Sequence, residues 1–309
     1  MGTPLFAVPG LEALAQDPGI EVTAVITRED KKVGRKQELT PPLVKTAALA
    51  LDLPVLQPPQ LKGNEDIVKL IREMRPDFIV VAAYGHILPA EILKIPKYGC
   101  INLHGSLLPK YRGASPIEEA LLNGDTDTGI TYIKMNEKMD AGDILYIQRI
   151  PIDPSDDAPT LRAKLSLIGA TQLPFVLKDL REGTIEPIPQ NESKATFCRK
   201  ISKEDGAINL AKMTAREICN RIRAYTPWPQ CFLMVDGKRL KITSATFDEK
   251  PAVEVKPAHV VKTEDGTVAI GTAKGLLIPK KVQLEGKKEM GVQEFTRGNK
   301  DFFSHLLAW

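Results

Sequence analysis

Helical patterns alternate with short apolar runs along the first 150 residues. Residues 65–74 place apolar side chains at helical spacing, and an uninterrupted apolar run follows at 77–83. A run that is apolar throughout is typical of a parallel strand covered by helices on both faces. Further strands are predicted at 21–27 and at Cys100–His104. This succession predicts an α/β fold with a doubly wound, Rossmann-like, mostly parallel sheet.

The second part of the chain has a different pattern. Residues 183–200 are rich in Pro, Gly and polar side chains, which is typical of a linker. A helix predicted at 214–225 then precedes several short strands, and Lys274-Gly275 marks one of the turns between them. One helix with about five small strands predicts a small β-barrel. We therefore expect a first domain at 1–182, a linker at 183–200 and a second domain at 201–309.

Composition narrows the class of protein. No run approaches the roughly 18–20 apolar residues that span a bilayer, and no basic region followed by an apolar run marks a secretory signal. The four cysteines form no CxxC pair and no zinc-type cluster, so we expect reduced thiols in a cytoplasmic protein. From Lys200 onward, 19 Lys and Arg residues stand against 13 Asp and Glu residues, an excess of 6. This excess is as typical of an ordinary solvated surface as of a surface for a polyanion.

The segment around Asn102 and His104 carries the strongest chemical signal. The two residues are two apart on one predicted strand, so their side chains point to the same face. They lie at the strand's C-terminal end, where open α/β sheets bind ligands. An amide and an imidazole there can both donate to a developing oxyanion, and the imidazole can exchange a proton near neutral pH. A buried core histidine and a strand-ending asparagine are the alternatives, but the Gly- and Pro-rich loop that follows favours an active site.

Asp140 is a second candidate. It lies in Met139-Asp-Ala-Gly-Asp143, between two predicted strands. A carboxylate there could orient the imidazole of His104 and stabilise its charged form. A turn-forming Asp ahead of Gly142 has the same sequence pattern. The residues by themselves favour the turn-forming interpretation, because nothing in the sequence shows that Asp140 meets His104.

Taken together, these motifs resemble those of the methionyl-tRNA formyltransferases over almost the whole chain. The segment from Asn102 to Pro109 and the distal Asp140 are shared with folate-dependent formyltransferases and hydrolases in general. Two segments in the C-terminal part are typical of the tRNA enzymes more narrowly. The motifs that carry the resemblance include Met1-Gly-Thr-Pro4, Ala83-Tyr-Gly85, Asn102-x-His104-Gly-Ser-Leu-Leu-Pro109, Met139-Asp-Ala-Gly-Asp143, Ile201-Ser-Lys-Glu-Asp-Gly206 and Pro227-Trp-Pro229.

The resemblance implies a reaction and its participants. It implies Asn102, His104 and Asp140 as the catalytic residues, and 10-formyltetrahydrofolate as the formyl donor, without a metal. It implies an OB-like barrel at 201–309 that contacts initiator methionyl-tRNA. It implies no obligate protein partner, so we expect a monomer, and the absence of a transit-like segment favours the bacterial-type cytoplasm. The donor would be bound by the loop residues Ser106, Leu107, Leu108 and Pro109.

Two further expectations follow from the resemblance. Residues 28–42 are basic and match an insertion beside the acceptor end of the tRNA, so Arg35 and Lys36 are implied to contact tRNA; the alternative is a charged surface loop. The family also has a strand ahead of the segment that corresponds to Met1-Gly-Thr-Pro4. We therefore expect the sheet to lack its innermost strand.

Other functions remain as alternatives. A 10-formyltetrahydrofolate hydrolase or a sugar-nucleotide formyltransferase would share Asn102, His104 and Asp140, but the C-terminal motifs favour the tRNA enzymes. A non-catalytic RNA-binding protein would use the barrel alone. A nicotinamide-dependent dehydrogenase is disfavoured because no GxGxxG follows a predicted strand.

Overall fold

A computed structural model describes residues 1–34, 36–235, 237–252, 255–262 and 267–299. The chain divides into two compact units. The first comprises Met1–Pro116, Asp127–Pro151 and Leu161–Cys198. The second comprises Ile117–Thr126, Ile152–Thr160 and Arg199–Trp309. Each unit is thus assembled from segments that are not contiguous in sequence.

The described residues form α-helices and strands with the following bounds. The helices are α1 Val8–Gln16, α2 Leu43–Ala50, α3 Glu65–Glu73, α4 Ala90–Leu93, α5 Pro116–Leu122, α6 Ala158–Glu182, α7 Ala215–Ala224 and α8 Val292–Gly298. The strands are β1 Val25–Ile26, β2 Lys31–Val33, β3 Glu38–Thr40, β4 Val55–Leu56, β5 Ile79–Val81, β6 Cys100–His104, β7 Arg112–Gly113, β8 Asp127–Lys134, β9 Asp143–Pro151, β10 Phe197–Cys198, β11 Cys231–Val235, β12 Lys238–Asp248, β13 Val260–Lys262, β14 Val268–Gly271, β15 Leu276–Leu284 and β16 Met290–Gly291.

The first unit contains a four-stranded sheet in the order β5-β6-β8-β9. β5 and β6 are parallel, with Val81 opposite Asn102, whereas β8 is antiparallel to both of its neighbours. β1 and β4 form a separate parallel pair. Each of these two parallel pairs is connected through a helix, α4 for β5–β6 and α2 for β1–β4, because parallel strands need a crossover connection. The α/β class predicted from the sequence is confirmed.

Met1 and Gly2 lie between these two groups of strands. The α-amino group of Met1 donates to the carbonyl of Val80 at 2.6 Å, and the amide of Ala82 donates to the carbonyl of Met1. The amide of Gly2 donates in the other direction, to the carbonyl of Ile26 at 3.1 Å. Burial lowers the pKa of the Met1 amino group to about 6. The first two residues therefore bond to both β1 and β5, where the resemblance places the end of an innermost strand.

An apolar core fixes the sheet against its helices. α3 contributes its buried face, and β5 and α4 contribute side chains that are fully or nearly fully buried. Removing this apolar surface from water is the main stabilising contribution to such a unit. The buried members of this core are Ile26, Leu61, Ile67, Val68, Ile71, Ile79, Val81, Tyr84, Leu88, Ile92 and Cys100.

Two strands of the first unit are shorter than the sequence predicts, and a third has the predicted bounds. The strand at Cys100–His104 has the predicted bounds, since it pairs along its length with β8 or β5. The runs at 77–83 and 21–27 are reduced to Ile79–Val81 and Val25–Ile26. The second reduction follows from a ladder in which only two residues of β1 face β4.

The second unit is built around an antiparallel sheet. Its strand order is β11-β12-β15-β14-β13, with β16 paired to β15, and a register shift between Ile242 and Ala245 interrupts the β12–β15 ladder. α7 begins in a capping box, in which Thr214 and Glu217 each bond the other's backbone amide. The predicted turn at Lys274-Gly275 joins β14 to β15. This curled antiparallel sheet confirms the predicted small barrel-like second domain.

Among the described residues, no helix has the length and apolar character to cross a membrane.

Candidate active site

β6 brings Asn102 and His104 to the same face of the sheet. Asn102 pairs with Ile133 of β8, and His104 pairs with Thr131 of the same strand. Asn102 is half-buried, whereas His104 is only 5% exposed. Both side chains therefore lie at the C-terminal end of β6, as the sequence predicts.

The two ring nitrogens of His104 face different partners. Nε2 lies 2.9 Å from the carbonyl oxygen of Tyr111, and a carbonyl only accepts, so Nε2 carries the hydrogen. Nδ1 lies 3.6 Å from Oδ1 of Asp140. Burial lowers the pKa of His104, and the nearby Asp140 carboxylate and the Tyr111 carbonyl oppose that shift. The neutral ring therefore presents its free electron pair at Nδ1, beside the carboxylate.

Asp140 contacts both candidate residues on β6. Its Oδ1 lies 3.4 Å from Nδ2 of Asn102, and its Oδ2 accepts a hydrogen bond from the amide of Gly113 at 2.9 Å. The backbone of Asp140 has a φ of 48°, in the left-handed region that non-glycine residues seldom adopt. The structure thus joins Asn102, His104 and Asp140 in one cluster, although 38 positions separate Asn102 from Asp140.

The absence of a side chain at Gly113 allows its backbone amide to reach the Asp140 carboxylate. Its φ is 126°, and a Cβ built there would lie 2.1 Å from the carbonyl oxygen of Cys198. Gly113 is in β7, which pairs with β10. A side chain at position 113 would clash with β10 and displace β7, the strand whose Gly113 amide bonds Asp140.

The loop after β6 contains the residues predicted to bind the folate, namely Ser106, Leu107, Leu108 and Pro109. Ser106 and Leu108 are buried, and Thr131 joins them by donating to the carbonyl of Ser106 and accepting from the amide of Leu108. The hydroxyl of Ser106 donates to the carbonyl of Lys110. Leu107 and Pro109 are half-buried, and the Leu108–Pro109 bond is cis. Ser106 and Leu108 thus shape the loop, while Leu107 and Pro109 have exposed surface.

The two residues predicted to bind tRNA differ in what the structure describes. Arg35 lies outside the described residues. Lys36 is exposed in the turn of a hairpin in which β2 pairs with β3. The side chain of Gln37, next to Lys36, donates to the carbonyl of Gly34 at 2.9 Å and closes the turn.

A group of residues that the sequence did not single out surrounds Asp140. The side-chain amide of Gln190 donates to the carbonyls of Asp140 and Gly142, at 2.8 and 2.7 Å. Arg112, which is 3% exposed, donates to Oε1 of Gln190 and forms a bidentate ion pair with Glu192. The guanidinium lowers the pKa of the Glu192 carboxyl. No local pattern marks Gln190, because its partners are about 50 and 78 positions away.

Among the residues that the structure describes, no group of three or more His, Cys, Asp or Glu side chains is arranged to hold a metal ion. The four cysteines are buried and form no disulfide, and burial raises the pKa of the thiols of Cys100, Cys219 and Cys231 to about 12. These three thiols are therefore protonated and weakly nucleophilic at neutral pH.

Known proteins match the chain along nearly its whole length. Residues 1–177 match the family described as formyl transferase, and residues 200–300 match its C-terminal domain family. The chain is 44% identical to the methionyl-tRNA formyltransferase of Caldicellulosiruptor saccharolyticus, over 97% of this chain and 96% of that protein. It is 43% identical to the methionyl-tRNA formyltransferase of Listeria innocua, over 96% and 94% of the two chains.

A solved structure supports the fold. An N-formyltransferase from Helicobacter canadensis, in complex with folinic acid and dTDP-3-aminofucose, superposes with a TM-score of 0.66 at 21% identity. The match covers 90% of this chain and 96% of that one. At this identity the likeness shows a shared fold.

Proposed function

The chain belongs to the methionyl-tRNA formyltransferase family, and from that premise we propose that it transfers the formyl group of 10-formyltetrahydrofolate to the α-amino group of initiator methionyl-tRNA. The observation that carries the proposal is the cluster of Asn102, His104 and Asp140 at the end of β6. An amide donor, an imidazole and a carboxylate are groups suited to acyl transfer to an amine. The folate supplies the formyl carbon.

The contacts of His104 support its role as the proton acceptor. An α-amino group has a pKa of about 8, so a useful fraction is unprotonated at neutral pH. As that nitrogen bonds to the formyl carbon, Nδ1 of His104 takes a proton from it, and the carboxylate of Asp140 stabilises the imidazolium. His104 then returns the proton to the departing folate nitrogen as the old carbon–nitrogen bond breaks.

The position of Asn102 supports a role in stabilising charge. Attack on the formyl carbon develops negative charge on the formyl oxygen. The amide group of Asn102, half-buried at the strand end, donates a hydrogen bond to that oxygen. Its side chain is oriented by Oδ1 of Asp140, so the carboxylate contacts both the proton acceptor and the oxyanion donor.

The remaining assignments concern the two substrates. We assign the folate to the loop Ser106, Leu107, Leu108 and Pro109, where Leu107 and Pro109 offer apolar surface to a flat heterocycle. Residues 201–309 carry the positive excess and are proposed to contact tRNA, with 1–182 as the catalytic domain and 183–200 as the connection. Arg35 and Lys36 are proposed as additional phosphate contacts.

A panel of acceptors tests the proposal. The chain is incubated with 10-formyltetrahydrofolate and methionyl initiator tRNA, free methionine, a dTDP-linked aminosugar or water alone, and formylated product and released tetrahydrofolate are measured. We expect product with the charged tRNA only. His104→Ala should abolish it, whereas His259→Ala, which replaces an exposed histidine of the second unit, should not. Tetrahydrofolate release in water alone would indicate the hydrolase, and formylation of the sugar would indicate the sugar-nucleotide enzyme.

A further inference from the structure

Gln190 holds the backbone that carries Asp140. Its side-chain nitrogen Nε2 lies 2.8 Å from the carbonyl oxygen of Asp140 and 2.7 Å from that of Gly142. The two hydrogens of one amide group therefore satisfy two carbonyls that converge on the same point. Without that donor, the two oxygens would face each other unpaired in a half-buried site, which favours a different loop conformation.

The anchor of Gln190 does not depend on Asp140. Oε1 of Gln190 accepts from Nε and Nη2 of Arg112, at 3.1 and 2.9 Å. Arg112 is itself buried and paired with both carboxylate oxygens of Glu192, at 2.8 and 2.9 Å. Its backbone amide also donates to the carbonyl of Thr196. A planar guanidinium with partners on both sides is a rigid support for a side-chain amide.

The loop around Asp140 needs such support. Asp140 adopts a φ of 48°, and Gly142 has no space for a side chain, since a Cβ there would lie 2.0 Å from the carbonyl of Lys134. A backbone in the left-handed region persists only where its surroundings fix it. Gln190 bonds the strained residue itself and the glycine two positions after it, through the carbonyls of residues 140 and 142.

The same short segment also fixes His104. Tyr111 accepts from Nε2 of His104, Arg112 holds Gln190, and the amide of Gly113 donates to the Asp140 carboxylate. Residues 111–113 therefore set the positions of both members of the pair. Gln190 completes this arrangement from a segment with no residue in the reacting cluster.

We propose that Gln190 is a positioning residue that holds the Asp140 carboxylate against His104, acting through hydrogen bonds to the carbonyls of residues 140 and 142. The proposal rests on the proposed function, in which Asp140 stabilises the charged form of His104. Gln190 touches no reacting atom in this scheme, so its loss should act on turnover and leave substrate binding intact.

Two variants separate positioning from general stability. Gln190→Ala removes all of the contacts. Gln190→Glu keeps an acceptor for Arg112 but cannot donate to the carbonyls of Asp140 and Gly142 when ionised. Asn191→Ala is the matched control, because Asn191 is exposed in the same segment and the hydrogen bonds that the structure gives its side chain are to Ser193 alone. The thermal unfolding midpoint of each variant reports whether it is folded.

Steady-state formylation of methionyl initiator tRNA provides the first readout. We expect both Gln190 variants to lower kcat by about 10- to 100-fold, the effect of a misplacement of roughly 1 Å, with KM for both substrates within about twofold. Asn191→Ala should leave kcat unchanged. In an Asp140→Asn background, Gln190→Ala should add little further loss, since the carboxylate it positions is gone. Full additivity of the two substitutions, or a wild-type kcat in both Gln190 variants, would overturn the proposal.

A second readout does not depend on turnover. Titration of His104 by NMR, in protein with carbon-13-labelled histidine, gives its pKa in the free chain. Asp140 raises that pKa against the effect of burial, so Gln190→Ala should lower it, as should Asp140→Asn. An unchanged pKa of His104 would contradict positioning. If the wild-type chain formylates no acceptor, the proposed function fails, while this titration still decides whether Gln190 positions Asp140.

Discussion

Nδ1 of His104 lies 3.6 Å from Oδ1 of Asp140, while the opposite ring nitrogen donates to the carbonyl of Tyr111. This arrangement fixes which nitrogen can take a proton. It also places a negative charge beside that nitrogen in a site where His104 is nearly inaccessible to water. A charge in such a site is screened less than one at the surface, so the carboxylate influences the pKa of His104 and, in the proposed mechanism, its part in catalysis.

Asp140→Asn should change the pH dependence of the reaction. Burial lowers the pKa of His104 and Asp140 opposes that shift, so removing the carboxylate lowers the pKa further. The proposed mechanism requires the neutral ring, so activity should fall as pH falls through this pKa. The acidic limb of kcat should therefore move to lower pH in Asp140→Asn. The measurement is kcat between about pH 5 and 8 for both proteins. The substrate amine contributes equally to the two profiles, and a limb that moves to higher pH would contradict the assignment.

Asn102→Ala should lower kcat with little effect on binding. Loss of one donor to a developing oxyanion typically costs about 10²–10³ in kcat. KM for the charged tRNA should change by no more than about twofold, because the interaction strengthens only as charge develops. Asn123→Ala, at an exposed asparagine of the second unit, is the control for a simple amide deletion. A rise in KM with unchanged kcat would assign Asn102 to ground-state binding.

Gly113→Ala should destabilise the first unit more than Gly183→Ala. Both glycines have positive φ, 126° and 75°, but a Cβ at Gly183 meets nothing within 4 Å, whereas one at Gly113 meets the carbonyl of Cys198. We expect a loss of about 1 kcal/mol in the free energy of unfolding for Gly183→Ala and roughly 3 kcal/mol for Gly113→Ala. Denaturant unfolding measures both. Equal losses would show that β7 and β10 can separate without cost.

Substitutions in the β2–β3 hairpin should weaken tRNA binding through charge. Lys31, Lys32 and Lys36 are exposed there, and each phosphate contact contributes about 0.9 to the slope of log affinity against log salt. Replacing the three with alanine should lower both affinity and slope, as measured by filter binding at several salt concentrations. Lys69→Ala, at an exposed position on α3, should change neither. An unchanged slope in the hairpin variant would remove these lysines from the tRNA contact.

The sequence predicts the strand that carries Asn102 and His104 because its cues are local. Cys100–His104 combines an apolar pattern with two polar side chains on one face, and the structure has the same bounds. The pairing of β1 with β4 is less predictable, since strand length there depends on partners far along the chain. For the same reason the residues around Asp140 favour a turn-forming role when taken alone. The contact of Asp140 with His104 depends on how β8 and β9 return past β6.

The contacts of Gln190 cannot be predicted from local sequence patterns. Residues 183–200 lack apolar periodicity and resemble a linker, yet Gln190 and Glu192 are ordered by Arg112 rather than by their neighbours. A buried guanidinium requires partners, and those partners need have no spacing in sequence. Single-sequence patterns cannot report such contacts. The contacts made by residues in such a linker-like segment therefore become known only from the structure.

The most direct test of the central claim is a single-turnover measurement with His104→Gln. The chain, in excess over methionyl initiator tRNA and saturated with 10-formyltetrahydrofolate, is mixed rapidly and quenched, and formyl-methionyl-tRNA is counted over time. We predict a rate at least about 100-fold below that of the wild-type chain, as expected for loss of general acid–base catalysis, with the affinity for tRNA unchanged. A rate within a fewfold of wild type would contradict the account, because the proton would then leave the amine without His104.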